Sequence, residues 1–154
     1  MTADDYFAIQ NLLYRYCDRL DRGDFRGMAE LFEHAELIVP ALPQPVRGVN
    51  AIVALYARYT RIYPDTGTPK TRHVTTNVII EAEGAESARA ESYVLVFQGT
   101  ELLRLQPILA GRYYDRFARI AGRWRFSERR IDIDLFGDLS AHMLEQFGPG
   151  AAAT

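Results

Sequence analysis

The chain has 154 residues, 48% of them hydrophobic and 25% charged, which suits one domain with a single substantial core. A net charge of -2, with Lys70 the single lysine among 18 basic residues, leaves no overall basic field for nucleic acid, and no apolar run reaches the ~18 residues of a membrane span. The N-terminus lacks a basic start and an apolar core of the secretory kind, so the expected location is cytoplasmic. Cys17 is the only cysteine, which excludes an intrachain disulfide and a cysteine metal cage.

In chain order, Phe7, Ile9, Leu12, Leu13, Tyr16, Cys17 and Leu20 recur at spacings of three and four, predicting a helix over residues 3–21. Gly23 should end it, and Asp24 should cap a second helix carrying Met28, Leu31 and Phe32. Residues 36–40 read as a short strand, followed by a proline-broken connection through Pro43 and Pro45. A third helix is predicted over 49–63, with Ile52, Leu55, Tyr56, Tyr59, Ile62 and Tyr63 on one face, stopped by the turn residues between Pro64 and Pro69.

From Lys70 the pattern changes to long strands, predicted at 71–83, 88–98, 108–120 and 123–135 with short turns between them. Helices first and hairpins afterwards indicate an α+β domain, three helices packed on one face of a curved antiparallel sheet. A last helix is expected over about 139–147, with residues 148–154 a disordered tail, so that one domain spans 1–147. In the strand at 88–98, Tyr93, Leu95 and Phe97 alternate against Ala90, Ser92, Val94 and Val96, apolar on both sides, which predicts a covered outer face and a homodimer or larger homo-oligomer.

Three residues stand out chemically. His73 interrupts a strand of β-branched residues, where a structural histidine bonded to backbone is the commoner case. Asp21 sits at the C-terminal end of the first helix, where the helix dipole disfavours a carboxylate, which suggests another use, although taken alone a solvated loop aspartate is the commoner case. Arg129 lies in the last strand; strict alternation puts it with Ile131 and Ile133 and opposite Trp124 and Phe126, unless both faces are covered or a bulge resets the register. Tyr16, Tyr56, Asn77, Tyr93 and Tyr113 are candidate pocket-lining groups. The histidines His34, His73 and His142 show no metal-ligand spacing, so no metal is expected. Asp132 and Asp134 share a face but read as a surface salt-bridge network beside Arg129 and Arg130.

The order Tyr16, Leu20-Asp21-Arg22-Gly23-Asp24-Phe25, Leu31-Phe32, Gly48, Arg72-His73, Glu91-Ser92-Tyr93, Gly111-Arg112-Tyr113-Tyr114-Asp115 and Gly122-Arg123-Trp124-Arg125-Phe126 resembles the SnoaL-like branch of the nuclear transport factor 2 superfamily, over about residues 4–136. The resemblance implies a cone with the helices on the concave face of the sheet. It also implies a pattern similar to scytalone dehydratase, bile-acid 7α-dehydratase and hexachlorocyclohexane dehydrochlorinase, in which an aspartate and a histidine placed as Asp21 and His73 carry out elimination and an arginine placed as Arg129 assists the leaving group. Leu20 stands where scytalone dehydratase has a tyrosine, and the strand at 88–98 lacks that enzyme's second pocket histidine.

On this likeness the expected function is a cofactor-independent lyase, a dehydratase or dehydrohalogenase, acting on a small hydrophobic cyclic or polyketide-like molecule. The alternatives are a non-catalytic ligand-binding or structural subunit, like the β subunit of ring-hydroxylating dioxygenases, and an isomerase or cyclase of the same fold. Elimination requires the Asp21 carboxylate within hydrogen-bond reach of the His73 ring, beside a cavity.

Overall fold

The computed structural model describes residues 1–145. Helix α1 spans Ala3–Asp21, α2 Phe25–Glu30 and α3 Val49–Tyr59. Six strands follow the order β2-β1-β6-β5-β4-β3 across one sheet, with β1 Glu36–Ile38, β2 Val46–Arg47, β3 Thr71–Ala82, β4 Ser87–Gln98, β5 Gln106–Ile120 and β6 Arg123–Phe136. β3 to β6 form an antiparallel meander, whereas β1 runs parallel to β6, pairing only with Glu128–Arg130. The two-residue β2, which the sequence pattern does not show as a strand, pairs with β1 and leads into α3.

Helix α1 is built as its spacing predicts except at its start, where Phe7 is exposed: Ile9, Leu12, Leu13, Tyr16, Cys17 and Leu20 are its buried face. Burial of each large aliphatic among them contributes about 1.5–3 kcal/mol. Thr2 and Asp5 close a capping box at its start, and the Asp5 carboxylate also accepts from Arg119 Nη2 at 2.7 Å and Trp124 Nε1 at 2.9 Å, fastening the helix to the β5–β6 hairpin. The Thr2 backbone hydrogen bond first, then those from Trp124 and Arg119, hold that carboxyl well below the ordinary range. At the other end Gly23 has φ +75, and a Cβ there would lie 2.5 Å from Gly67 O, so only glycine fits this turn. Asp24 caps α2 as predicted, its carboxylate accepting from Gly27 N at 2.8 Å.

Two predicted helices differ. α3 stops at Tyr59 rather than at residue 63, because Thr60 turns extended and pairs with Met143, and Tyr63 pairs with Thr68. The helix expected over 139–147 is absent in its described part, residues 139–145. There a single turn, with His142 N and Met143 N both donating to Leu139 O, is followed by donation from Leu144 N to Tyr59 O at 2.9 Å. The backbone groups a helix would use are taken by the end of α3. The rest of that helix and the tail at 148–154 lie outside the described residues.

Of the four register shifts in the sheet, two set which of the candidate residues face inward. Asn77, at φ +52, lies in a register shift between Thr76 and Ile79, so that Thr71, His73 and Thr75 face the helices before it and Val78 and Ile80 after it. In β6, Phe126 pairs with Phe117 and Glu128 with Arg116, leaving Ser127 as the extra residue. Trp124, Phe126 and Arg129 are therefore all buried on one face, the bulge having reset the strict alternation.

Candidate active site

Asp21 is the last residue of α1, and β3 is the sheet's edge strand alongside that helix. The carboxylate is met by three donors from β3: Thr71 Oγ1 donates to Oδ1 at 2.8 Å, the His73 backbone N–H to Oδ2 at 2.8 Å, and His73 Nδ1 lies 2.7 Å from Oδ1. This donor set offsets the unfavourable helix dipole at the position. Burial by itself would raise the Asp21 carboxyl, but the His73 ring and its charge, the His73 backbone and Thr71 outweigh it and hold the group below the ordinary carboxylate range.

An ionised carboxylate at Nδ1 places the proton there and leaves Nε2 as the basic nitrogen of the neutral ring. No hydrogen bond among the described residues occupies that Nε2. The two side chains are only 11% and 12% exposed, and they line a groove of about 370 Å³ between α1 and β3, with Tyr14, Cys17, Asp18, Val74 and Thr75. Cys17 Sγ lies 3.2 Å from Thr75 Oγ1, stitching the helix to the strand beside the pair.

Arg129 is placed elsewhere. It is fully buried and forks onto Asp115 directly across the β5–β6 ladder, through Nε at 2.7 Å and Nη2 at 2.8 Å, while Tyr16 and Tyr113 each stack 4.2 Å from its guanidinium carbon. Burial pushes the Asp115 carboxyl up against the opposing pull of Arg129, and burial likewise works against the Arg129 charge, which Asp115 holds in place. Tyr16 is five residues before Asp21 on α1, ~7.5 Å along the axis. Among the described residues no hydrogen bond or ion pair joins Arg129 to Asp21 or His73; Asp115 takes its Nε and Nη2, and Nη1 is buried without a hydrogen-bond partner.

Of the predicted pocket-lining residues, Tyr16 and Tyr113 flank that guanidinium and Tyr56 joins them through its hydroxyl, 2.6 Å from that of Tyr16, all three phenols being raised chiefly by burial. Tyr93 instead lies on the outer face, where Arg112 Nη2 donates to its hydroxyl at 2.6 Å, because the β4 alternation turns Ser92 and Val94 inward. Asn77 is exposed in the bulge rather than in a pocket.

Three residues escaped the sequence reading. Thr71 is signalled only by alternation, two residues before His73, while Asp115 closes the family-like run Gly111–Asp115 without a role assigned to it and stands between the inward-facing Tyr113 and Phe117. His142 was masked by the helical spacing of its neighbours. Asp134 is exposed and the half-buried Asp132 pairs with Arg130 Nε at 2.9 Å, whereas Arg129, expected in the same surface network, is buried on Asp115.

A helix trio on one face of a curved sheet, holding a carboxylate-oriented histidine at its edge, defines a pocket protein of the α+β cone class. The SnoaL-like domain family matches residues 1–130, and the chain belongs to that family. It is similar in structure to a protein of unknown function from Mycobacterium tuberculosis, at 27% identity and TM-score 0.68, covering 84% of this chain and 71% of that one. An NTF2-like protein with a cystatin-like fold from Novosphingobium aromaticivorans is 23% identical, TM-score 0.69, over 83% of this chain and 80% of that one. A candidate scytalone dehydratase from the same organism is 24% identical, TM-score 0.67, over 86% of each chain. The last two likenesses speak for the fold alone. No curated protein matches this sequence.

No helix among the described residues is long and apolar enough to cross a membrane, and none of their His, Cys, Asp and Glu side chains cluster as a metal site.

Proposed function

We propose that this protein is a cofactor-independent lyase that eliminates water or halide from a small hydrophobic cyclic or polyketide-like substrate, with His73 as general base and Asp21 orienting it. The observation that carries the reading is the 2.7 Å contact between Asp21 Oδ1 and His73 Nδ1, with Oδ2 held by the His73 N–H. In this chemistry Nε2 takes a proton from carbon, the C–H electron pair becomes the new double bond, and the bond to the neighbouring leaving group breaks. For a dehydration the imidazolium returns its proton to the departing hydroxide, giving water and the neutral ring. Arg129 enters as a positioning group that holds Tyr16 and Tyr113, with Asp115 on its Nε and Nη2.

The test is turnover of a panel of β-hydroxy ketones, hydroxylated ring ketones and chlorinated cyclohexanes. His73→Gln should lower kcat ~100-fold or more with the circular dichroism spectrum unchanged. Activity within a few-fold of wild type would eliminate the proposal.

The burial of Arg129 away from the dyad favours one second reading, a ligand-binding protein without turnover, which predicts saturable binding and no product from any member of the panel. We also infer self-association through the outer face of the sheet. There Val74, Leu95 and Ala110 lie in cross-strand register beside Phe97, and Val74 is 42% exposed. Gel filtration of the wild type should give at least a dimer and Leu95→Glu a monomer; a monomeric wild type refutes it.

A further inference from the structure

The wall of the dyad groove carries two polar groups that the elimination chemistry leaves unused, Tyr14 and Asp18. On α1 the helical spacing sorts the groove residues into two stripes, each a pair four residues apart and therefore neighbours on one face. Cys17 and Asp21 form the inner stripe, Cys17 Sγ meeting Thr75 Oγ1 at 3.2 Å and Asp21 Oδ1 meeting His73 Nδ1 at 2.7 Å. Tyr14 and Asp18, three residues before Cys17 and Asp21 respectively, form the outer stripe of the same groove. Contacts that pair 17 with 75 and 21 with 73 mean that α1 and β3 run in opposite directions, so the groove leads from the dyad past Thr75 towards Tyr14. Tyr14 stands seven residues before Asp21, ~10.5 Å along the helix axis.

Both outer groups can be reached from solvent. Tyr14 is 44% exposed, and its hydroxyl makes no hydrogen bond among the described residues. Asp18 is exposed and accepts from the equally exposed Arg22 Nε at 2.9 Å, which leaves lone pairs on its carboxylate. Inside the groove, the neutral His73 ring offers a lone pair at Nε2, Cys17 and Thr75 are engaged with each other, and the Tyr14 hydroxyl is left open as a donor. The charged groups lining the groove are Asp18 and Asp21 beside the histidine, with no lysine or arginine among its lining residues. Its volume of about 370 Å³ is at the low end for small-molecule sites and leaves room for one ring.

We propose that the groove takes an uncharged ring compound whose oxygen accepts a hydrogen bond from Tyr14, and that Asp18, added to Asp21, turns anions away. Tyr14 thereby sets the position of the ring against His73 Nε2, and Asp18 decides which charge is admitted. This deepens and rests on the assignment of the Asp21–His73 pair as the reacting centre, but it concerns selection and not turnover. Both side chains are exposed, so replacing them leaves the core untouched.

The probes are two pairs of compounds inert to elimination, titrated at low salt into the full chain labelled with ¹⁵N-histidine and read on the His73 ring nitrogens. Acetophenone and α-methylstyrene are alike in shape and differ in the oxygen; benzamide and benzoate are alike in shape and differ in charge. Acetophenone should move the His73 resonances saturably. Tyr14→Phe should weaken acetophenone about fivefold, the scale of one hydrogen bond, while leaving α-methylstyrene unchanged. Benzoate should bind about tenfold more weakly than benzamide, and Asp18→Asn should narrow that gap about threefold. No saturable movement of His73 by acetophenone, a Tyr14→Phe effect that is absent or equal for both members of its pair, benzoate bound as tightly as benzamide, or a gap unchanged in Asp18→Asn each overturns the inference. Selective binding without turnover of any substrate in the panel sinks the lyase assignment alone, and turnover without these effects sinks this inference alone.

Discussion

Replacing His142 by asparagine should remove a defined part of the acid sensitivity of the fold. The folded-state pKa of His142, about 4, lies below the unfolded value of ~6.5. Between those two values the unfolded chain binds the proton and the folded chain does not, so stability rises with pH across the window and is lost as pH falls from about 6.5 towards 4. A difference of roughly two and a half units at ~1.4 kcal/mol per unit makes the full contribution about 3 kcal/mol. Because the side chain is only 8% exposed, solvent screening takes little from that figure. The groups acting on His142 are His73 from β3 and Asp21 from α1, and both are kept in the variant.

Urea denaturation of wild type and His142→Asn at half-unit steps from pH 7.5 to 4.5 gives the difference directly, with carboxylate titrations common to both proteins cancelling. Over that range wild type should lose about 2–3 kcal/mol more than the variant. Parallel stability curves, within about 0.5 kcal/mol at every pH, would show that His142 is not buried beside the dyad and would refute the placement on which the argument rests.

Arg129→Met leaves the Asp115 carboxylate buried without its partner and should cost about 3–5 kcal/mol in urea unfolding, whereas the Arg129→Met/Asp115→Leu double variant should recover at least half of it. A single variant within about 1 kcal/mol of wild type would deny the buried pair any structural role. Gly23→Ala should cost about 2 kcal/mol, since alanine must adopt the positive φ and meet Gly67 O, and calorimetry should show Tm lower by several degrees. An unchanged Tm would mean that the turn between α1 and α2 is not built this way.

Local pattern made much of this molecule legible. The spacing of Ile9, Leu12, Leu13, Tyr16, Cys17 and Leu20 is itself the buried face of α1, because a 3.6-residue period needs nothing beyond the helix to be read. Gly23 and Asp24 do in the structure what turn and cap chemistry require of them. The four long strands fall within a few residues of their alternating runs. Asp21 and His73 were recognisable as candidates because each is unusual in its place, an acid at a helix C-terminus and a histidine in a β-branched strand.

Partnership was less legible, because it depends on register. A period-two reading of β6 cannot place Arg129 once Ser127 is extra, nor can it foresee that Asp115, fourteen residues earlier, lies directly opposite. Asn77 was drawn towards the pocket by its polar side chain, and its actual use is backbone geometry, a positive φ that reorients the distal half of β3. His142 was assigned to a helix by the spacing of Leu139, Met143 and Leu144. The end of α3 competes for the same backbone groups and wins with a bridge between Thr60 and Met143.

The sequence by itself therefore determined the elements, their order and the chemical types available, since helix period, strand alternation and turn residues act over a few neighbours. Tertiary structure alone decided that Asp21 meets His73 across a separation of 52 residues, that Arg129 spends its charge on Asp115, and that His142 stands beside the dyad with an open nitrogen. Those contacts arise from the register shifts in β3 and β6 and from the packing of α1 along β3, where the gain from burial and paired charge is settled by the whole sheet rather than by any one segment.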